Sequence, residues 1–230
     1  MKKIILGIFA CMSLTVFGQS ANNSNSFGSG FRLAMDEVDG HPFLINDWYQ
    51  GNLVKNDGSV TEKMPLNYNL LENAVATTKM LNGQKTYVKL NNADYSGFMI
   101  TDDKNNVHLY KKILGPEFTK AKKEDKFYLI VDAPNNSILL ETNKKFKDPN
   151  ASGWSAATTT NKRGKYVEST EVYVKTSKGT FSKVKLNNKD ITKVLDDKGK
   201  ELKDFIASKK LKIKEAADLI PVMTYYRTLK

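Results

Sequence analysis

His41 and His108 are the only two histidines in the chain, so base-and-nucleophile chemistry would have to run through one of them. A hydrolytic triad needs a base held against a nucleophile, and no Gly-x-Ser-x-Gly turn offers a serine. His41 precedes Pro42 in a turn, and His108 lies in the strand-like Val107-His108-Leu109-Tyr110. Both read as ordinary surface or half-buried histidines. They stand too far apart for a local zinc pair, and the single cysteine, Cys11, cannot supplement them. Asp36-Glu37-Val38-Asp39-Gly40 lacks the spaced oxygen ligands and closing glutamate of a calcium loop and reads as a solvated turn. Asp196-Asp197 reads as turn or helix-boundary chemistry. A glycosidase needs two apposed carboxylates, and among 25 acidic residues no spacing singles out a pair. Gly28-Ser29-Gly30 stands in a spacer, not between a strand and a helix, so it is no phosphate cradle. The expectation is no catalytic residue, no metal ligand and no cofactor.

Binding chemistry is better represented. Trp154 sits in a Ser/Thr/Ala-rich stretch followed by Lys162, Arg163 and Lys165. An exposed tryptophan beside cations stacks on a sugar or grips a partner, while the cations meet phosphate or carboxylate. The competing reading folds Trp154 back as a cover on a sheet. Trp48-Tyr49, beside a turn, reads as a core plug.

The elements that must position these residues follow from periodicity. Met64, Leu66, Tyr68 and Leu70 point one way, with Asn67 and Asn69 on the other side. Thr86, Val88 and Leu90 alternate likewise, as do Phe127, Leu129 and Val131. Val172 and Val174, matched by Val184 and Leu186 beyond Gly179, make a late hairpin. Two-residue periodicity with one apolar face describes antiparallel sheet with one side on a core. Turn signals at Asp39-Gly40, Asp57-Gly58, Asn82-Gly83, Asn91-Asn92, Asn135-Asn136 and Lys178-Gly179 punctuate the strands. Pro65 cannot donate to a ladder, so its strand lies at an edge or starts nearby.

After Asn188 the period changes to helical. Ile191, Val194 and Leu195 form one stripe, Leu202, Phe205 and Ile206 another, and Ala216, Leu219, Met223 and Tyr226 a third. Pro221 either kinks the last helix or occupies its first turn. The fold expected is mainly β: an antiparallel meander of roughly eight to ten strands, a range taken from turn spacing. It forms an open barrel or strongly curved sheet with two or three C-terminal helices.

The first residues, Met1-Lys2-Lys3, an apolar run from Ile4 to Phe17 and then Gly18-Gln19-Ser20, match an export signal. That run is shorter than the ~20 residues needed to span a bilayer. The organisation expected is a signal peptide over 1–18, a flexible spacer over 19–35 and one β-rich domain over 36–230 with a helical part from about 188. Lipidation at Cys11 is the lesser alternative to cleavage after Gly18; cleavage leaves no thiol in the mature chain and no membrane-spanning segment. The net charge of +11 favours anionic surfaces and polymers, although the lysines are dispersed and form no binding tail. That dispersion, with no recognised motif, argues against nucleic acid.

Gly40-His41-Pro42-Phe43-Leu44, Asp47-Trp48, Gly51, Asp57-Gly58 and Pro65-Leu66-Asn67-Tyr68-Asn69 resemble the opening of a group of uncharacterised secreted proteins of the Bacteroidota. Leu202-Lys203-Asp204-Phe205-Ile206, Leu211-Lys212, Asp218-Leu219-Ile220 and Tyr225-Tyr226 are similar to that group's C-terminal helices, and Phe17-Gly18-Gln19 to its signal endings. Pro221 departs from the helix-compatible residue the resemblance implies. The resemblance implies location and fold and carries no activity. Taken together, the sequence points to an exported, non-enzymatic cell-envelope binding or accessory protein, periplasmic, outer-membrane associated or extracellular. Its expected partners are outer-membrane proteins or anionic envelope polymers. The alternatives are a carrier holding a small apolar ligand in a β-barrel and, third, a hydrolase of envelope polymers.

Overall fold

The computed structural model describes residues 38–148 and 163–229. The leader and spacer expected over 1–35, together with Trp154 and Lys162, lie outside the described residues. Eleven strands form one largely antiparallel, unclosed sheet. In chain order they are β1 (Val38–Asp39), β2 (Tyr49–Lys55), β3 (Met64–Asn69), β4 (Ala74–Leu81), β5 (Gln84–Lys89), β6 (Tyr95–Thr101), β7 (Val107–Ile113), β8 (Lys126–Ile130), β9 (Ile138–Lys147), β10 (Gly164–Lys175) and β11 (Phe181–Val184). Three helices follow: α1 (Asn188–Val194), α2 (Gly199–Ser208) and α3 (Leu219–Thr228). Eleven strands exceed the eight to ten expected because β1, two residues long and paired in parallel with β10, carries no alternation to detect.

The sheet runs β1-β10-β9-β8-β7-β6-β2-β3-β4-β5, with β11 also on β10. It is a meander interrupted where β6 returns to pair with β2. The β4–β5 hairpin turns at Asn82-Gly83, whose φ values of 49° and 76° suit a type I′ turn.

The sheet is strongly curved, as expected. Tyr68 on β3 and Phe127 on β8 are four places apart in strand order, about 19 Å in a flat sheet, yet their ring centroids are 5.8 Å apart. Between them lies Phe98 of β6, stacked on Tyr110 of β7 at 4.7 Å and edge-on to Phe127 at 5.4 Å. Leu53, Leu66, Val75 and Ile100 complete this inner core. Two polar stitches cross the mouth of the curl: Asn73 Nδ2 donates to the Asp125 carbonyl at 2.8 Å, and Lys112 Nζ to the Asn92 carbonyl at 2.5 Å.

Strands β8–β11 bury both faces. Ile138, Val172, Val174 and Val184 meet the helices through Ile191, Leu195, Leu202, Ile206, Leu219, Val222, Met223 and Tyr226. The alternate residues Leu139 and Tyr173, with Tyr128, Ile130, Ile113, Phe118 and Phe181, form a third core on the opposite face. The connection from Leu114 to Asp125 covers that face; its Phe118 bridges to Phe181. Leu202 and Ile206 are buried, whereas Phe205 is half-buried and stacks on Tyr225 at 4.1 Å. Pro221 is the third residue of α3, in the first turn, where helix N–H groups lack intrahelical acceptors anyway. Arg227 near the end of α3 ties the helix to the sheet, reaching Asp132 at 3.2 Å and Ser137 Oγ at 3.0 Å.

The polar side of β3 is also buried. Residues 40–48 cross from β1 to β3, where Phe43 bridges to Asn69. Asn67 donates to the carbonyls of Ile45 at 2.8 Å and Asp47 at 3.0 Å. Asn69 Oδ1 accepts from Leu71 N and Glu72 N. Both asparagines serve the backbone of neighbouring loops, so their burial is hydrogen-bonded throughout. Pro65 is the second residue of β3, opposite Gln50, in a strand flanked on both sides. Of the two readings for it, the strand start holds and the edge does not.

Candidate functional site

Of the four candidate binding residues, Arg163 and Lys165 fall within the described residues, and both are exposed. Arg163 immediately precedes β10 and Lys165 is its second residue. Their neighbours are set by the antiparallel register with β9: Lys165↔Lys147, Tyr166↔Phe146, Val167↔Lys145 and Glu168↔Lys144. Directly opposed residues share a face of the ribbon, so Lys145, Lys147 and Lys165 stand on one side. Asp39 of β1, registered with Lys165, adds an acid on that side; Glu141 and Glu171 lie farther along the same face, and Asp148 follows Lys147 at the strand end. Lys145, Lys147, Arg163 and Lys165 form no ion pair with any of the described residues.

The other face of the ribbon is aromatic. Phe146, 45% exposed, packs on Tyr166 with centroids 5.3 Å apart. Its ring also lies over Gly164, where a Cβ would come within 2.4 Å of the ring. Glycine at 164 therefore lets the phenyl group lie on the backbone, fixing its orientation. Burial raises the Tyr166 phenol above its ordinary value. Lys144, on this face, turns inward to the Phe43 carbonyl at 2.5 Å and stands 3.7 Å from Glu168. The ribbon thus carries cations on one face and a seated, exposed aromatic ring on the other.

The sequence contained this signal in two parts, Lys144-Lys145-Phe146-Lys147 and Arg163-Gly164-Lys165-Tyr166. Only pairing across the intervening residues brings them together. Trp48, the expected core plug, is half-buried and forms an aromatic group with Phe43 at 5.5 Å and Tyr87 at 6.4 Å. Tyr49 packs against the inner core and donates its hydroxyl to Asp103 at 3.0 Å.

Both histidines are engaged locally. His41 Nε2 lies 2.7 Å from Asn46 Oδ1, and its Nδ1 accepts from Phe43 N at 3.1 Å. His108 Nε2 lies 2.9 Å from Asp102 Oδ2. The same carboxylate accepts from Lys104 N at 2.9 Å, Asn106 N at 2.8 Å and Asn106 Nδ2 at 3.0 Å. It therefore organises the β6–β7 turn, and the His–Asp pair is a clasp across it. Hydrogen bonds from His108 and Asn106 hold the Asp102 carboxyl well below the usual carboxylate range. A depressed folded value means that the clasp contributes in full above the ordinary carboxylate pKa and is lost as pH falls through the lowered one. Asp102→Asn should therefore reduce the urea midpoint at pH 7, and the gap from wild type should narrow below about pH 4. An equal gap at pH 7 and pH 3 would remove the carboxylate from this role.

Among the described residues, no group of three or more His, Cys, Asp or Glu side chains could hold a metal ion. No helix among them is long and apolar enough to cross a membrane. Comparison with family models finds no match to this chain, and comparisons with curated proteins and with solved structures find none either.

Proposed function

We propose that the chain is an exported, non-enzymatic binding or accessory protein of the cell envelope that grips an anionic envelope polymer with the β9–β10 ribbon. The observation carrying this reading is the cross-strand pair Lys147↔Lys165, with Lys145 on the same face and Arg163 at the ribbon's start. Like charges directly opposed across strands are destabilising by themselves. A phosphate or carboxylate placed between them relieves that repulsion. Phe146, held over Gly164, offers an apolar surface of its own on the opposite face. The leader-like opening and the positive charge of the chain agree with an envelope setting.

Two rival readings receive less support. An apolar-ligand carrier needs an open interior, but aromatic side chains packed ring on ring fill the concave side of the curl. A hydrolase needs a free base, but His108 serves a turn clasp and His41 its own loop.

Co-sedimentation with isolated envelopes tests the proposal. The K147A/R163A/K165A variant should bind at least tenfold more weakly at low salt, since each cation near an anionic surface is worth about 1 kcal/mol. Its thermal midpoint should stay close to wild type. Salt at about 1 M, where screening shortens to ~3 Å, should release the wild-type protein. Binding that survives both the triple substitution and high salt would sink the ribbon as the binding surface.

A further inference from the structure

The face of the sheet opposite the helices carries a second constellation, farther along β9 and β10 from the Lys147–Lys165 end. Lys122 extends from the β7–β8 connection into a ring of aromatic faces. Its Nζ lies 4.6 Å from the centroid of Phe118, 5.0 Å from Tyr128 and 4.3 Å from Tyr173. It donates to Tyr128 Oη at 2.9 Å and is ion-paired with Glu141. The Glu141 side chain is 6% exposed; its hydrogen-bond partners also include Tyr173 Oη, at 3.0 Å. Tyr173 Oη in turn lies 2.6 Å from Glu171, which pairs with Lys183 at 2.6 Å. The rings brace one another: Phe118 meets Tyr173 edge-on at 5.1 Å, and Tyr128 meets Tyr173 edge-on at 6.0 Å.

The rings of Phe118 and Tyr173 beside a cation, with the Tyr128 hydroxyl and a buried carboxylate as its acceptors, make up the chemistry that recognises organic ammonium ions. The walls are fixed. Tyr128, Glu141 and Tyr173 stand on the adjacent strands β8, β9 and β10, and Phe118 is pinned by its bridge to Phe181. The Lys122 backbone is held too, its N–H bonded to the Gly115 carbonyl at 3.0 Å. A Cβ on Gly115 would approach the Lys122 carbonyl oxygen to 2.2 Å, so glycine is what lets the loop close there. The Lys122 side chain is 23% exposed, against 6% for Glu141. If it swings out, Glu141 keeps Lys126, whose Nζ already stands 3.5 Å from its second oxygen.

We propose that this cage is a binding site for small organic ammonium ions, and that Lys122 is its tethered occupant, yielding to ligand by a side-chain rotation. The site does not depend on the Lys147–Lys165 end of the ribbon. A tethered amine competes at an effective concentration of about millimolar or above, so free ligand must exceed that to enter the wild-type cage.

Two probes test it: n-propylammonium, which replaces the atoms that K122A removes, and tetramethylammonium, which has no hydrogen-bond donor. Binding is read from perturbation of the Tyr128 and Tyr173 ring resonances and from the thermal midpoint, against sodium chloride at equal ionic strength. Wild type should respond to both ions, with the Lys122 ammonium signal shifting toward that of a solvated lysine as they bind. K122A should half-saturate with n-propylammonium at least tenfold lower than wild type, and K122A/E141Q should lose that gain. A folded K122A that ignores both ions would overturn the proposal. So would a response confined to K122A, because the wild-type cage would then be a closed structural lock. If K122A does not fold, the wild-type titration decides alone.

Discussion

Phe98→Ala is expected to lower the unfolding free energy by about 3–5 kcal/mol, the range for deleting a buried aromatic side chain. The ring is fully buried and touches three others, Tyr68 at 5.9 Å, Tyr110 at 4.7 Å and Phe127 at 5.4 Å. Tyr110 comes from the neighbouring β7, but Tyr68 on β3 and Phe127 on β8 come from strands that a flat sheet would keep apart from β6. Aromatic pairs add about 0.5–1.5 kcal/mol each beyond area burial, which places the expected loss toward the upper part of the range. Urea unfolding with an unchanged m-value would measure it. A loss below about 1 kcal/mol, the size of an ordinary surface change, would mean that the curl is held elsewhere.

Leu202→Ala is the second large effect, expected at about 2–5 kcal/mol. Leu202 is fully buried in the core shared by the helices and strands β9–β11. The informative readout is whether two signals move together. In a W154F background, fluorescence reports Trp48, which sits with Phe43 and Tyr87, and ellipticity at about 222 nm reports the helices. Coincident transitions shifted equally by Leu202→Ala would show that helices and curl unfold as one unit. If only the helical signal moved, the tail would be an independent unit. Phe205→Ala should cost less, because its ring is half-buried against Tyr225.

The strands that alternate cleanly were legible from the sequence. Leu66 and Tyr68 do face the inner core, and Val172, Val174 and Val184 do face the helices. The helices were also legible, because each carries its apolar residues at helical spacing. Less legible was the second buried face. Phe127-Tyr128-Leu129-Ile130 is a continuous apolar run, so its period cannot show that the covering loop hides Tyr128. Lys122 lies among Lys120, Lys123, Glu124 and Asp125 and reads as a solvated charge. Its aromatic partners Phe118, Tyr128 and Tyr173 come from a loop and two different strands, so no local pattern announces the cage. Arg163 and Lys165 could be picked out by type, but Lys147 and Phe146 joined them only through register.

The parallel pairing of β1 with β10 bears on the order in which the molecule assembles. Val38 meets Gly164 and Asp39 meets Lys165, partners far apart in the sequence. The crossing segment reaches Asn69 at its other end, a contact available early from nearby residues. Closing the long loop to β10 costs chain entropy before any contact rewards it. The meander can therefore zip hairpin by hairpin while this strap hangs from β3 by one end. Its far end seats only after β10 has been placed, so its closure waits on the β9–β10 hairpin.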